Sequence, residues 1–405
     1  MIASRAFAGK HYAVLGLARS GLATVEALLA SGAEVTAWDS SEDARAGVAG
    51  SAELADPLEI DLAGFDGVVV SPGVPLNRHP IAAKARAAGV PLIGDIELFA
   101  RARADLPPHK VVGITGTNGK STTTALIHHI CKTAGVPTTM GGNIGLPILA
   151  QDPLPEGGVY VLELSSYQLD LTQSLDCDVA VLLNVTPDHL DRYDDFDAYA
   201  ASKARLFAMQ SPTRVAIEGA AAPDLDQTHW PTLQGPHNAQ NAFAAIAVAR
   251  ALEISEDAIE RGLETYPGLP HRMERVAELS GVLFVNDSKA TNPTSTAPAL
   301  AAYSAVHWIL GGLPKSDDLD ACAPHFSHVR AAYTIGEAGP MFGRLLEGRV
   351  PVTGCVTLAR AVNEAVRAAV AGEVVLLSPA CASFDQFRDY EARGDAFRAA
   401  VEALR

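Results

Sequence analysis

Hydrophobic and polar positions along the chain alternate between short apolar runs and longer helical patterns. The run HYAVL at 11–15 is followed by a turn between Gly16 and Gly21, and then by an alanine- and leucine-rich stretch from Leu22 to Ala30. AEVTAWD and DGVVVSPG predict two more strands. Continuous apolar strands that alternate with helices are typical of a parallel sheet covered on both faces. The pattern therefore predicts an α/β fold.

The same succession begins twice more, each time after a junction that contains proline, which interrupts a helix. After RADLPPHK come the predicted strands KVVGIT, VYVLELS and DVAVLLNV, and a helix in GPHNAQNAFAAIAVARAL. After YPGLPHR come the predicted strands GVLFVNDS, VHWILGG, AAYTIG and EVVLLSPA. We expect three α/β domains, at residues 1–100, 101–269 and 270–405.

Composition narrows the class of protein. Of the 405 residues 48% are hydrophobic, which is enough for several buried cores. The net charge of -16 gives little attraction for nucleic acid or an anionic membrane. The five cysteines show no CxxC spacing, which favours free thiols in a reducing compartment over zinc or disulfides. No signal-peptide core or bilayer-spanning run of roughly 20 apolar residues occurs, so we expect a cytoplasmic protein without membrane or nucleic-acid partners.

The first glycine loop resembles a dinucleotide fingerprint. Gly16 and Gly21 fit GxGxxG, but Ala18 stands where the second glycine belongs, and Asp39 ends the next predicted strand. A helix that starts behind such a turn favours a diphosphate. Three interpretations stay open: a site for a phosphate-bearing nucleotide, a merely structural turn, and a site for NAD. The missing glycine argues against the last of these.

The second glycine loop, GITGTNGKST, predicts nucleoside triphosphate binding more strongly. Lys120 is placed to reach the β- and γ-phosphates and the Ser121 hydroxyl to bind Mg²⁺. The usual pattern asks for glycine at Ile114, whereas the first glycine here is Gly113. The candidate ATP contacts in the loop are Gly113, Gly116, Thr117, Asn118, Gly119, Lys120, Ser121 and Thr122.

Three further polar residues follow predicted strands or lie on a predicted helix. Glu163 lies at the end of the apolar run in VYVLELSS, and a carboxylate at the carboxyl end of a parallel strand points into the ligand cleft, where it suits magnesium. A capping or surface role for this glutamate stays open. His189, in NVTPDHLDRY, is open between a structural and a functional role. Lys203, in YAASKARLF, is by the sequence pattern alone a solvated helix lysine.

An ordered series of motifs extends over essentially the whole chain. GITGTNGKSTTT, GGNIG, ELSSYQL, NVTPDHLDRY, SKARLF, GPHNAQNA, LPHR and NDSKATNP resemble the Mur ligases of peptidoglycan synthesis. LLSPACASFDQFRDYEARGDAF, GLARSG and SPGVP resemble the D-glutamate-adding branch of that family. The resemblance implies a monomer with a Rossmann-like N-terminal domain for a UDP-sugar, a central P-loop ATPase domain with a mostly parallel sheet, and a Rossmann-like C-terminal domain.

The implied activity is that of an ATP-dependent amide-forming ligase. In the family, ATP phosphorylates the carboxylate of UDP-N-acetylmuramoyl-L-alanine, and the amine of D-glutamate attacks the acyl phosphate to give ADP and phosphate. The implied catalytic residues are Lys120, Glu163, His189 and Lys203. Ser121 and Glu163 would hold one Mg²⁺ and His189 would help to hold a second. Lys203 matches a lysine that CO₂ converts to a magnesium-binding carbamate, which reverses its interpretation as a solvated residue.

The remaining implied contacts divide between ATP and the two other substrates. The ATP contacts outside the loop are Asn238, Asn241, Arg272 and Asp287. The matched substrate contacts are Gly16, Leu17, Ala18, Arg19, Asp39, Ser71, Asn143, Ser165 and His189, and, around D-glutamate, Lys289, Thr291, Lys315, Ser383 and Tyr390.

Three departures from the family pattern keep alternatives open. The span from Phe207 to Gly235 is short, so we expect peripheral strands of the central domain to be missing. Leu313-Pro314 stands where Asp-Gly is expected and Tyr390 where phenylalanine is common, so another Mur ligase or a folylpolyglutamate-synthetase-like ligase is the nearest rival. A nicotinamide-dependent oxidoreductase leaves Lys120, Glu163 and Lys203 unexplained. A non-catalytic nucleotide switch leaves the C-terminal motifs unexplained.

Overall fold

The computed structural model describes residues 1–188, 191–219 and 225–404, which form two compact units. The first unit comprises Met1–Leu225 and Gln240–Glu264, and the second comprises Asp226–Ala239 and Thr265–Arg405. The first unit holds two five-stranded sheets and the second a six-stranded sheet. No helix in the described ranges is long and apolar enough to cross a membrane.

The N-terminal sheet is entirely parallel, with strand order β3-β2-β1-β4-β5. Its elements are β1 (His11–Leu15), α1 (Arg19–Ala30), β2 (Glu34–Trp38), α2 (Glu42–Ala46), β3 (Glu53–Leu54), β4 (Gly67–Val70), α3 (Ile81–Ala88), β5 (Leu92–Ile93) and α4 (Asp95–Ala102). The chain leaves β1 in one direction to reach β2 and in the other to reach β4. This reversal opens a crevice at the carboxyl end of β1, where ligands of such sheets bind.

The central sheet repeats this plan, with parallel order β10-β9-β6-β8-β7. Its elements are β6 (His109–Thr115), α5 (Lys120–Thr133), β7 (Thr138–Gly142), β8 (Gly158–Glu163), α6 (Ser166–Asp170), β9 (Val179–Leu182), α7 (Phe196–Ala208), β10 (Val215–Glu218), α8 (Pro236–Ala251) and α9 (Glu256–Thr265). The crevice lies at the carboxyl end of β6. The short span after Phe207 contributes one edge strand, β10, among the described residues.

The C-terminal sheet has the order β11-β12-β16-β13-β14-β15, with only β11 and β12 antiparallel among its pairs. Its elements are β11 (Glu274–Leu279), β12 (Val282–Asn286), α10 (Pro293–Ala301), β13 (Val306–Gly311), a 3-10 helix (Asp320–His328), β14 (Val329–Ile335), α11 (Gly339–Leu346), β15 (Val352–Val356), α12 (Leu358–Ala368), β16 (Val374–Leu377) and α13 (Tyr390–Glu402). The crevice of this sheet lies at the carboxyl ends of β12, β16 and β13.

The two sheets of the first unit share one hydrophobic core. Val14 of β1, Phe99 of α4, and Tyr160 and Leu162 of β8 all belong to the same buried cluster. The rings of Phe99 and Tyr160 meet edge to face, with centroids 5.1 Å apart. Since burying each large apolar side chain contributes about 1.5–3 kcal/mol, this shared core fixes the N-terminal sheet against the central one.

The fold confirms the predicted α/β class and the predicted strands of all three sheets. Strands β3, β5, β7, β10, β11 and β15 were not predicted, because they are short or carry few apolar residues and lie toward sheet edges. The predicted start of the first helix at Leu22 was too late, since α1 begins at Arg19, inside the glycine loop.

Asp95, under the first glycine loop, gives a testable effect on stability. It is fully buried, and desolvation raises its pKa from 3.8 to about 6 although Ile96 N–H donates to it. A raised pKa in the folded state stabilises the fold below about pH 4, and this contribution is lost as pH rises through about 6. Above pH 6, Asp95→Asn should therefore increase the free energy of unfolding, on the order of 2–3 kcal/mol, and raise the melting temperature accordingly. Near pH 4 the variant and the wild type should melt alike.

Asp105 provides a control of opposite sign. Hydrogen bonds from Ser4 and Arg5 lower the pKa of its carboxyl. Asp105→Asn should therefore destabilise the protein at neutral pH and lose this effect toward acidic pH. Thermal melts of both variants across pH 4–8 check the pair. An Asp95→Asn variant that melts below the wild type at pH 8 would contradict the assignment.

Candidate active site

The phosphate loop between β6 and α5 is shaped by two glycines in positive φ. Gly116 has φ 150° and Gly119 has φ 85°, a region that side chains other than glycine rarely adopt. A Cβ on Gly119 would lie 2.3 Å from Oδ1 of Asn241 on α8. The loop therefore needs glycine at this position for both its backbone conformation and its packing.

Asn184, just after β9, fixes the backbone of the phosphate loop through hydrogen bonds. Its backbone carbonyl accepts from Thr117 N–H at 2.9 Å, and its side chain bonds both the N–H and the carbonyl of Asn118 at 2.9 and 3.1 Å. The Thr117 hydroxyl is also bonded to Thr186. This fixed arrangement is typical of a loop that binds phosphate oxygens without rearranging. Asn184 was not singled out from the sequence, although it lies in the NVTPDH motif.

Gly113 lies inside β6 rather than in the loop. Its missing side chain makes room for Cys177, since a Cβ there would lie 2.7 Å from Sγ of that cysteine. Packing in the sheet thus accounts for the glycine one residue earlier than the usual pattern. The predicted contact of Gly113 with ATP stays a prediction, since the residue lies in the strand that precedes the loop.

Two lysines meet at one carbonyl oxygen of the loop. Nζ of Lys120 donates to Gly116 O and Thr117 O, each at 2.9 Å, and Nζ of Lys203 donates to the same Gly116 oxygen at 2.9 Å. Two ammonium groups so close repel each other. An anion bound in the loop would relieve that repulsion, so the geometry favours a polyphosphate ligand.

Lys203 is buried on α7, contrary to the solvated lysine that the sequence pattern alone suggests. Only 2% of its surface is exposed, and Nζ lies 4.7 Å from the ring centroid of Tyr199. Desolvation, with repulsion from Lys120, lowers its pKa from 10.5 to about 7. A buried amine with a large neutral fraction near pH 7 is rare in structural lysines and points to a chemical role.

Glu163 ends β8 beside the loop, and its side chain is almost completely buried. Oε1 accepts from Nδ2 of Asn143 at 2.8 Å, whereas Oε2 has no hydrogen-bond partner among the described residues. A buried carboxyl oxygen without a partner is costly unless a ligand completes it. The oxygen donors of Glu163 and of Ser121 on α5 fit a hard cation such as Mg²⁺. Asn143, predicted to contact the UDP-sugar, lies here against Glu163.

The predicted residue His189 lies outside the described residues. The segment after it is anchored on the N-terminal sheet, since Arg192 donates to Val74 O at 3.0 Å. The guanidinium also stacks on the ring of Tyr167, 4.2 Å from its centroid. These contacts connect the segment following His189 to the loop after β4, which carries Ser71. The sequence pattern assigned no role to Arg192, which here ties this segment to the loop after β4.

The first glycine loop is closed by internal hydrogen bonds. Asp39 accepts from Leu17 N–H at 2.7 Å and from Ser41 N–H at 2.9 Å, and these bonds lower the pKa of its carboxyl. Ser71 donates to Gly16 O at 2.9 Å. Oδ2 of Asp39 thus fixes the glycine loop, while Oδ1 fixes the turn after β2. Arg19, at the start of α1, donates to Gly145 O at 3.0 Å.

Ser165, another predicted substrate contact, caps α6. Its hydroxyl accepts from Gln168 N–H at 3.2 Å, and the Gln168 side chain returns to the Ser165 backbone, forming a capping box. The cap fixes the residues that directly follow Glu163.

The C-terminal crevice brings together the residues predicted around an amino acid. Lys289, after β12, donates to the Tyr390 hydroxyl at 3.0 Å and stacks over its ring. Lys315, after β13, donates to the Thr291 hydroxyl at 3.1 Å. Ser383 follows β16 and is buried. Two exposed ammonium groups, two hydroxyls and a ring thus gather at one sheet edge, which suits a small ligand with more than one carboxylate.

The predicted nucleotide contacts outside the phosphate loop lie in two places, near the end of β12 and on α8. Asp287, after β12, is buried and accepts from Met273 N–H and the Ser378 hydroxyl, while desolvation raises its pKa to about 7. Arg272 lies close enough to Asp287 to interact electrostatically with it. Asn238 and Asn241 both lie on α8, where Asn241 accepts from the Thr123 hydroxyl at 3.2 Å.

Comparison with known proteins gives a consistent family. The N-terminal domain of MurD-like Mur ligases matches residues 10–94, the Mur ligase middle domain matches 114–229, and the Mur ligase glutamate ligase domain matches 271–381. The UDP-N-acetylmuramoylalanine–D-glutamate ligase of Novosphingobium aromaticivorans is 67% identical and covers 100% of this chain and 97% of its own. The ligase of the same name from Sphingopyxis alaskensis is 62% identical and covers 100% of both.

A solved structure supports the fold. The crystal structure of UDP-N-acetylmuramate-alanine ligase from Thermotoga maritima superposes with a TM-score of 0.58 at 16% identity, covering 98% of this chain and 100% of its own. The matches in sequence and in fold agree with the ordered series of motifs along the chain. The chain therefore belongs to the Mur ligase family.

Proposed function

We propose that the chain joins D-glutamate to UDP-N-acetylmuramoyl-L-alanine at the expense of ATP, through an acyl phosphate. The observation that carries the proposal is the pair of lysines that meet at Gly116 O, the buried Lys203 and the half-buried Lys120, beside the unpartnered oxygen of Glu163. The names of relatives 67% and 62% identical over the full chain support the choice of substrates.

The first half-reaction requires phosphate charge to be neutralised and the reactants to be aligned. Lys120 is placed to bind the β- and γ-phosphates, and Asn184, which accepts from the amides of Thr117 and Asn118, fixes the turn that leads to it. The substrate carboxylate then attacks the γ-phosphorus and ADP leaves. Alignment and fixed charges supply most of the catalysis in phosphoryl transfer.

We propose two magnesium ions in this cleft. Ser121 and Glu163 would hold one, and His189 together with a carbamate on Lys203 would hold the other. Magnesium, when bound, neutralises the negative charge on the transferred phosphoryl group. The carbamate would form when the neutral amine of Lys203 attacks CO₂ and loses a proton. The burial of Lys203 supports this role, because it lowers the pKa of the amine to about 7 and so provides the neutral form that reacts with CO₂.

The second half-reaction places D-glutamate in the C-terminal crevice. Lys289 and Lys315 would bind its two carboxylates, with Thr291, Ser383 and the ring of Tyr390 completing the pocket. The amine of D-glutamate then attacks the acyl carbon and phosphate leaves. Leu313, at one departure from the family pattern, bonds Ala382 through its backbone N–H and carbonyl, so the altered side chain leaves this junction unchanged.

We further propose a cytoplasmic monomer with domains at 1–100, 101–269 and 270–405. The net charge of -16 agrees with the absence of nucleic acid and membranes from the proposed partners. A folylpolyglutamate-synthetase-like activity is disfavoured by the names of the 67% and 62% identical relatives. An oxidoreductase would leave Lys203 and Glu163 without a role.

Phosphate release tests this function. With ATP, Mg²⁺ and UDP-N-acetylmuramoyl-L-alanine, we expect release to depend on added amino acid and to be stimulated by D-glutamate at least about tenfold more than by L-glutamate. D-aspartate and L-lysine serve as further comparisons. Stimulation by another amino acid, with none by D-glutamate, would show that the substrate assignment is wrong.

A further inference from the structure

Arg393, on the first turns of α13, is a buried arginine to which the proposed reaction assigns no role. Its side chain is almost completely buried, with 1% of the residue exposed. We infer that Arg393 is the positioning residue of the amino-acid subsite. Its guanidinium holds the loop after β12 and the loop after β16 in fixed positions relative to each other. This inference rests on the proposed function, because it assigns those loops to D-glutamate.

The guanidinium makes four hydrogen bonds to two loops. Nε donates to the Ser288 hydroxyl at 2.9 Å, and Nη2 donates to Ser288 O at 2.8 Å and to Cys381 O at 3.0 Å. Nη1 donates to Ala382 O at 3.1 Å. The loop after β12 and the loop after β16 are therefore joined through one planar group.

The bonded residues directly precede the predicted D-glutamate contacts. Ser288 is followed by Lys289, and Ala382 is followed by Ser383. The Ser288 hydroxyl also donates to Tyr390 O at 2.8 Å. A shift of Arg393 would thus move an ammonium, a hydroxyl and a ring of the same pocket together.

The third loop of the crevice packs against the same group. Gly312, after β13, has φ 135°, and a Cβ there would lie 3.0 Å from Nη1 of Arg393 and 2.2 Å from Ala382 O. The next residue, Leu313, exchanges two backbone hydrogen bonds with Ala382, at 2.9 and 3.0 Å. The loop that carries Lys315 is in this way set by the position of Ala382, which Arg393 holds.

All four acceptors of Arg393 are neutral oxygens. Burial lowers the pKa of the guanidinium to about 10, so it stays charged at neutral pH. A buried charge bonded only to carbonyls and a hydroxyl stabilises a fold less than an apolar side chain of similar size. It does fix geometry, because its donors form a rigid planar fork, and it adds positive potential beneath a site for an amino acid with two carboxylates.

The substitution Arg393→Lys keeps the positive charge but removes the planar set of guanidinium donors. We expect this variant to raise the KM for D-glutamate at least about tenfold, because small misplacements of binding groups carry large costs. The KM values for ATP and UDP-N-acetylmuramoyl-L-alanine should change less than about threefold. Acyl phosphate formation without amino acid, trapped as a hydroxamate by hydroxylamine with loss of phosphate, should also persist.

Arg398→Lys is the matched control. Arg398 lies on the same helix and donates to Glu274 at 2.7 and 3.2 Å, contacting β11 instead of the subsite loops. Both variants lose an arginine fork on α13 and are expected to melt at lower temperature. Only Arg393→Lys should raise the KM for D-glutamate, and this separates positioning from general stability.

Ser288→Ala removes one acceptor without burying a new polar group, and it keeps the test open if Arg393→Lys does not fold. It should raise the KM for D-glutamate by about threefold to tenfold. Equal KM values in Arg393→Lys and Arg398→Lys, or an unchanged KM in Ser288→Ala, overturn the inference. A wild-type chain without D-glutamate-dependent phosphate release contradicts the proposed function, and the inference with it.

Discussion

Replacing Lys203 by alanine should lower the ligation rate by at least about 10²–10³-fold, as loss of a group that stabilises the transition state does. The amine is buried, bonded to Gly116 O, and positioned beside Lys120 in the phosphate loop. If its active form is a carbamate, small carboxylic acids such as acetate or formate should partly restore activity by placing an anion in the vacated space. The measurement is D-glutamate-dependent phosphate release over a range of added carboxylate.

Two further variants separate the possible roles of this side chain. Lys203→Arg keeps a cation but forms no carbamate, so it should be inactive and resist rescue. Lys132→Ala removes an exposed lysine near the end of α5 and should keep full activity. Wild-type rates in Lys203→Ala would exclude the proposed role. Activity in Lys203→Arg would assign the function to a cation instead of a carbamate.

Replacing Glu163 by glutamine should lower kcat by about 10²–10³-fold, as expected for loss of a charged group that acts on the transferred phosphate. The amide oxygen can still accept from Asn143, so the local structure should be kept. The amide nitrogen replaces the unpartnered oxygen and cannot bind a cation. Half-maximal activity should accordingly require a much higher Mg²⁺ concentration, measured by phosphate release across a magnesium titration.

Glu218→Gln is the control for this variant. Glu218 ends β10 as Glu163 ends β8, in the same parallel sheet, but it is exposed at the sheet edge. Its replacement should leave the magnesium dependence unchanged. If the Glu163→Gln variant kept the wild-type rate and magnesium optimum, the assignment of Glu163 as a magnesium ligand would be wrong.

The sequence predicts those structural elements that depend mainly on residues close together along the chain. Apolar runs predict the central strands, and the glycine loop at Gly116 and Gly119 is confirmed as a strand-to-helix turn with positive φ. The burial of Lys203 could not be predicted, because it depends on packing α7 against β6 and β9. Its helix alone gives the pattern of a solvated lysine, and only the family resemblance suggested otherwise.

Residues that position the loops of the site, without themselves being predicted to contact a ligand, are the hardest to predict from the sequence. Asn184, Arg192 and Arg393 act through backbone carbonyls and amides of loops that are distant along the chain. No spacing rule connects Arg393 with Ser288 or Ala382. Such contacts follow from the order of strands in the sheet, which the sequence pattern leaves undetermined.

The close packing of Gly113 against Cys177 has a consequence for evolution. The two positions lie on neighbouring strands or their connections, and the cysteine sulfur fills the volume that a side chain at 113 would need. Substitution of Gly113 is therefore conditional on the residue at position 177. Among descendants of this chain, alanine at 113 should arise only on backgrounds where 177 has first become smaller, so the two sites should change in a fixed historical order.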